Sequence, residues 1–171
     1  MNRDTAHYPL ILVVIHWLTA LLVLGAWLTA EGGHEITRNP PVLHFAFGLA
    51  VLALVLPRLI LRLVGQMPEP GTRRDWLEKA ARVGHASLYV LLVAIPLSGW
   101  YAASRMGVDI TVLGLHLPAL TASVSHDAGL VGDLHENGGD LLLILAGLHM
   151  AMALWHQFIL GDGTLRRMSL R

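Results

Sequence analysis

Four apolar stretches dominate this chain and leave few folds open to it. They cover residues 9–30 ("PLILVVIHWLTALLVLGAWLTA"), 42–64 ("VLHFAFGLAVLALVLPRLILRLV"), about 84–103 ("GHASLYVLLVAIPLSGWYAA") and about 138–160. Each is long enough for a helix to cross a hydrocarbon layer roughly 30 Å thick, which takes about 20 residues. Only 14% of the 171 residues are charged, against about 25% in an ordinary soluble domain. The expectation is a single all-α domain over residues 1–171, a transmembrane four-helix bundle with helices at about 9–30, 42–64, 84–103 and 135–160. Pro57 and Pro96 fall inside spans two and three, where neighbouring helices or hydroxyls can satisfy the freed carbonyls. Trp27, Trp100 and Tyr101 lie near span ends, as an interfacial aromatic belt places them. The first run exceeds the apolar core of a signal peptide and no A-x-A site follows it, so it is expected to be retained.

Charge orients the bundle. Residues 58–82 hold Arg58, Arg62, Arg73, Arg74, Lys79 and Arg82 against Glu69, Asp75 and Glu78, a net +3. Between spans three and four, Arg105 faces Asp109, Asp127, Asp133, Glu136 and Asp140, a net −4. Arg166, Arg167 and Arg171 close the C-terminus. The positive-inside rule makes the 58–82 loop and both termini cytoplasmic, and turns the 31–41 and 104–134 connections outward. The apolar "ITVLGLHLPAL" in the longer one is expected along the membrane surface. A net charge of zero gives no basic surface for nucleic acid, which is not expected as a partner. Membrane lipid is.

The chain has ten histidines and no cysteine. That excludes disulfides, thiolate iron–sulfur clusters, cysteine zinc sites and thioether attachment of haem. Imidazole is the ligand that remains. His135 and His149 are fourteen residues apart on one apolar helix, about 40° short of four full turns and about 21 Å in rise. One face of that helix therefore carries two rings near opposite sides of the membrane. His44 opens span two at the outer level of His135, and His16 lies in span one toward the inner level of His149. Two pairs result, His44 with His135 and His16 with His149, each from two different helices. A flat macrocycle clamped inside a bundle asks for that arrangement, and bis-imidazole ligation of haem iron accounts for number, levels and missing cysteine together. Gly48, one turn after His44, would let a ring plane approach the backbone, and Gly138, Gly139 and Gly147 flank the histidines of span four. Small residues also serve helix packing alone. A transition-metal transporter remains open as a rival, because imidazole suits zinc and copper.

At these residues the sequence resembles the bacterial cytochrome b561 family. The matching elements are "IHW" at 15–17, "LHFAFG" at 43–48 leading to "RLILRL" at 58–63, "GHASLYVLLVAIPLSG" at 84–99, "HE" at 135–136, "GLHMAMALWH" at 147–156 and "LGDGTLRRM" at 160–168. The resemblance spans nearly the whole chain, though the loops at 31–40 and 106–132 match poorly. It implies a four-helix protein of the bacterial inner membrane with two haem b groups, His16 and His149 on the inner iron and His44 and His135 on the outer. It also implies a quinone-linked oxidoreductase of the superoxide:ubiquinone type, passing electrons from a periplasmic donor to ubiquinone. The alternative it carries is a haem-containing membrane anchor that relays electrons for a redox partner protein such as a dehydrogenase or hydrogenase.

Further candidates follow from position. His156, seven residues after His149 and about 20° off the same face, with Trp155 beside it, is the candidate quinone site; a histidine snorkelling to the interface is the bland reading. Arg58 and Arg62, at the inner end of span two, are candidate partners of haem propionates. Arg38 and Arg105 are the candidate outer anion site for superoxide. His85 opens span three on the inner side without being expected as an iron ligand. His7, His34, His116 and His126 receive no role.

Overall fold

The computed structural model describes residues 7–30, 40–65, 75–124 and 127–169. Among these the elements run α1 (Leu10–Leu28), α2 (Val42–Val64), α3 (Asp75–Met106), β1 (Thr111–Val112), β2 (Leu115–His116) and α4 (Gly129–Trp155). A π turn over His156–Leu160 and a 3-10 turn over Arg166–Met168 complete them. All four helices are long and apolar enough to cross a membrane, and the protein is an all-α membrane bundle.

Two helices exceed the spans expected from hydropathy. α3 begins at Asp75 rather than near 84, because "DWLEKAARV" is built from strong helix formers and an exposed Glu78–Arg82 pair (3.3 Å) bridges one turn of it. α4 begins at Gly129, ahead of the apolar run, and its α-helical hydrogen bonding ends at Trp155. Helices persist where charge begins; only the fit to lipid stops there.

The helices pack as two pairs, α1 with α2 and α3 with α4, joined mainly through α2 and α3. The joint is an apolar cluster of Val51, Val55, Leu92 and Leu142, with Leu88 and Tyr89 against it. Pro57 and Pro96 both lie within continuous helices. Much of the apolar helix surface is left uncovered by protein: only 6% of the apolar stretch of α4 is buried. Such a surface is stable only against lipid or a bound apolar group. The start of α1 meets the segment after α4, since Tyr8 N–H donates to Arg167 O (3.2 Å) and Trp17 Nε1 to Met168 O (2.9 Å).

The apolar connection after α3 folds back on the helix end. Val112 pairs with Leu115 across a two-residue turn in which Leu113 and Gly114 both take positive φ (51° and 79°). The glycine makes this turn affordable, whereas Leu113 carries the strain of a left-handed side-chain residue. Ala103, Val108 and Ile110 form a second buried cluster with Trp100 and Phe45 packed on it. Ser104 Oγ accepts from Leu120 N–H (3.1 Å), and Trp100 Nε1 donates to Pro118 O (3.1 Å). Leu113 itself is 96% exposed at the hairpin tip.

Candidate functional site

The four histidines paired by depth face one another. The rings of His44 on α2 and His135 on α4 have centroids 5.7 Å apart at 83°; those of His16 on α1 and His149 on α4 are 6.2 Å apart at 75°. An imidazole nitrogen binds a first-row metal at about 2.0 Å. Adding about 1.1 Å from each nitrogen to its ring centre puts two rings in line across one metal about 6.2 Å apart. Both pairs are close to that spacing, and both bridge the two helix pairs, α1–α2 and α3–α4. His85 of α3 also approaches His149, at 5.2 Å, about 1 Å short of a linear arrangement by the same reckoning. The residues present fit two iron porphyrins held by facing rings.

The outer pair is held by backbone carbonyls. His44 Nδ1–H donates to Ala26 O on α1 (2.7 Å), and His135 Nδ1–H donates to Ile95 O on α3 (2.9 Å). A carbonyl can only accept, so each ring carries its proton on Nδ1 and leaves Nε2 free for a metal, the usual support of a ligating histidine. The His135 ring reaches Ile95 O because residue 99, one turn later, is glycine. A Cβ there would lie 2.5 Å from His135 Cε1. Neither Gly99 nor the carbonyl can be found from spacing along α4; only the crossing of α3 and α4 reveals them.

The glycines expected to receive a macrocycle divide. Gly48 and Gly139, each one turn after an outer histidine, face open space, as does Gly147. Gly138 does not: its Cβ position is occupied by Ile95 Cδ1 at 2.3 Å. It is a helix-packing glycine.

The inner pair lies in a cationic nest. Arg58 Nη2 donates to His16 Nδ1 (2.7 Å), and the guanidiniums of Arg58 and Arg62 lie 5.6 and 5.8 Å from the Tyr89 ring centre. A guanidinium is donor only, so this contact uses the Nδ1 lone pair of His16. Holding a metal through Nε2 with Nδ1 protonated requires Arg58 to turn away toward another acceptor. A propionate is an acceptor of the right kind, and no carboxylate pairs with these two arginines among the described residues.

Beyond His149 the helix widens into the π turn and closes at Gly161, in left-handed conformation (φ 65°). Trp155 is 53% exposed on the outside. His156 turns inward, and its Nδ1–H donates to Asp162 Oδ2 (2.5 Å), the two side chains only 16% and 11% exposed. Asp162 Oδ1 accepts from Thr164 N–H (3.0 Å) and Thr164 Oγ1 (2.6 Å). Burial pushes the Asp162 carboxyl up, but the bonds from Thr164 and His156 outweigh it and hold the group below the usual carboxylate range. Nothing in "LGDGTLRRM" marks Asp162 as the partner of His156; the loosened helix end brings the two together.

On the opposite side, the Arg105 guanidinium lies over the first turn of α4, 3.8 Å from the Cβ position of Gly129. Arg38, its expected companion, lies outside the described residues. His116 pairs with Asp109 (2.7 Å) on the exposed hairpin.

Comparison with known proteins gives the family. The model of the family "Prokaryotic cytochrome b561" matches residues 7–169. The chain is 32% identical to cytochrome b561 homolog 2 of Escherichia coli (strain K12), over 94% of its own length and 90% of that protein's. It is 30% identical to the probable superoxide oxidase CybB of Yersinia pestis, with 94% of each chain covered. It is also 30% identical to cytochrome b562 of Cereibacter sphaeroides, again with 94% of each covered.

Proposed function

The chain belongs to the prokaryotic cytochrome b561 family, and from that premise we propose that it is a dihaem, quinone-linked oxidoreductase of the bacterial inner membrane. Its coarse character is that of a multi-pass bacterial membrane protein of haem b electron transfer. The finer reading is that electrons enter from a periplasmic donor, superoxide, and leave to ubiquinone near the cytoplasmic side. The observation that carries it is the pair of facing imidazole couples sharing one helix, His135 and His149 being fourteen residues apart on α4.

Haem b, bound between two imidazoles, would supply an iron that exchanges single electrons. The chain does the rest. His44 and His135 hold the outer group, their Nδ1 protons locked on Ala26 O and Ile95 O. His16 and His149 would hold the inner one, with Arg58, once turned away from His16, and Arg62 neutralising its propionates. Arg105 provides positive potential for an anionic donor on a side that is otherwise acidic. His156 meets the quinone headgroup two turns of helix, about 10 Å, beyond His149; Trp155, on the outer surface, does not share its side. Two superoxide anions lose one electron each to give two dioxygen molecules; one quinone gains both electrons and two protons to give the quinol. The name of the Yersinia pestis relative supports the donor, and the basic 58–82 segment supports the orientation.

The test is a reduced-minus-oxidised spectrum of the purified protein with a haem-to-protein ratio, followed by rapid mixing with superoxide and then with ubiquinone-1. A ratio near two, reduction by superoxide and reoxidation by the quinone are expected. A ratio near one would overturn the double pairing, and a protein indifferent to both reactants would overturn the redox assignment.

A further inference from the structure

We propose that His156 and Asp162 form a proton-transfer couple, in which Asp162 is the positioning carboxylate that aims His156 at the reducible carbonyl oxygen of a benzoquinone. The inference rests on the quinone reading above and adds to it the source of the proton.

Three observations carry it. First, the two oxygens of Asp162 divide their work. Oδ1 takes both donors of Thr164, which closes the loop; Oδ2 is left for His156 alone. A carboxylate serving only the loop would not need the second contact. Second, because the carboxylate accepts, His156 must carry its proton on Nδ1, and Nε2 is the nitrogen available to a ligand. Third, the α-helix gives way to a π turn at His156. That is a local departure of a kind found often at functional sites, and here it ends in the left-handed Gly161 that brings Asp162 under the ring. The flank of this turn is apolar and open to lipid, with Phe158 73% and Ile159 64% exposed. A headgroup with an isoprenoid tail arrives from the bilayer and meets the imidazole there.

The step balances. With His156 as imidazolium, its Nε2–H bond breaks, the N–H electron pair returns to the ring, and an O–H bond forms on the quinone oxygen as electrons arrive. Water on the cytoplasmic side returns the proton to Nε2. Two such transfers accompany the two electrons of quinol formation. Asp162 remains a carboxylate throughout, holding Nδ1–H and stabilising the imidazolium, the role of the buried aspartate in a Ser-His-Asp triad.

The experiment uses the full-length, haem-loaded protein in detergent, with dithionite-reduced samples mixed rapidly with ubiquinone-1. Asp162→Asn and His156→Gln are expected to keep the haem content and the rate of reduction by dithionite. Each should lower the saturating rate of reoxidation by about 10- to 100-fold, with the half-saturating quinone concentration shifted less than about threefold. Asp162→Glu should recover part of the rate. A rate unchanged in Asp162→Asn, or a change confined to half-saturation, overturns the couple. Wild-type protein with full haem that quinone does not reoxidise overturns the quinone reading, and the couple with it. Should Asp162→Asn lose its fold, nitrogen-15 spectra of the unaltered reduced protein decide, the His156 signals being assigned by their loss in His156→Gln. A protonated, hydrogen-bonded Nδ1 is expected, and a bare Nδ1 overturns the proposal.

Discussion

Gly99→Ala should remove the outer haem while leaving the inner one in place. The added Cβ would lie 2.5 Å from His135 Cε1 and 2.9 Å from Nδ1, whereas ordinary contact begins at 3.4 Å. The ring must retreat by about 1 Å, several times the roughly 0.2 Å within which a metal–ligand distance is tolerated. Retreat also stretches the 2.9 Å bond to Ile95 O that sets the tautomer. Loss of such a supporting bond costs about 10- to 100-fold in metal affinity, or about 1.4–2.7 kcal/mol, and the displacement adds to it. The assay is the haem-to-protein ratio together with a redox titration. A ratio falling from near two to near one, with a single remaining midpoint, is expected. Gly84→Ala, where the new Cβ meets nothing within 4 Å, is the control and should behave as wild type. If Gly99→Ala keeps two haems with both midpoints unchanged, the argument that α3 positions the His135 ring is wrong.

His44→Ala should lose the outer haem and His16→Ala the inner one, each leaving one set of spectral bands; loss of both from either variant would contradict two separate sites. Arg62→Gln removes a positive charge from the inner nest and should lower the inner midpoint by on the order of tens of millivolts, with the outer midpoint unmoved in the same titration. The carboxyl of Asp162 is held below its ordinary value, so its contribution to stability is complete above a pH of about 4 and is lost as pH falls through the lower, folded-state value. Hydrogen exchange at the Thr164 amide should accordingly stay slow from neutral pH down to about 4 and speed up below it. In Asp162→Asn that acid-induced loosening should be absent.

What could be read in advance was what depends on periodicity along one helix. The span at 42–64 has the bounds of α2, and 9–30 encloses α1, because lipid demands an apolar run of set length. The levels of His16, His44, His135 and His149 followed from counting residues at 1.5 Å each, and the rings that share a level do face one another. The ends of α3 and α4 could not be found by hydropathy, since helices continue past the membrane on propensity alone. The folded lobe after α3 was hidden too. Its apolar residues serve contacts with Trp100 and Phe45, and nothing in "ITVLGLHLPAL" distinguishes those partners from lipid. Gly99 and Ile95 become meaningful only where α3 crosses α4. Asp162 acquires its neighbour only because the helix loosens at His156.

Helix α4 contributes one ring to each couple, and α4 is made after α1, α2 and α3. A nascent chain that has inserted only α1, α2 and α3 carries His44 and His16 at their two levels with their α4 partners still missing. On the dihaem reading proposed above, neither iron could be gripped from both sides until α4 enters the bilayer. Loading would therefore wait for α4, and the bonds from Tyr8 and Trp17 to the segment that follows it can latch only after that helix has arrived.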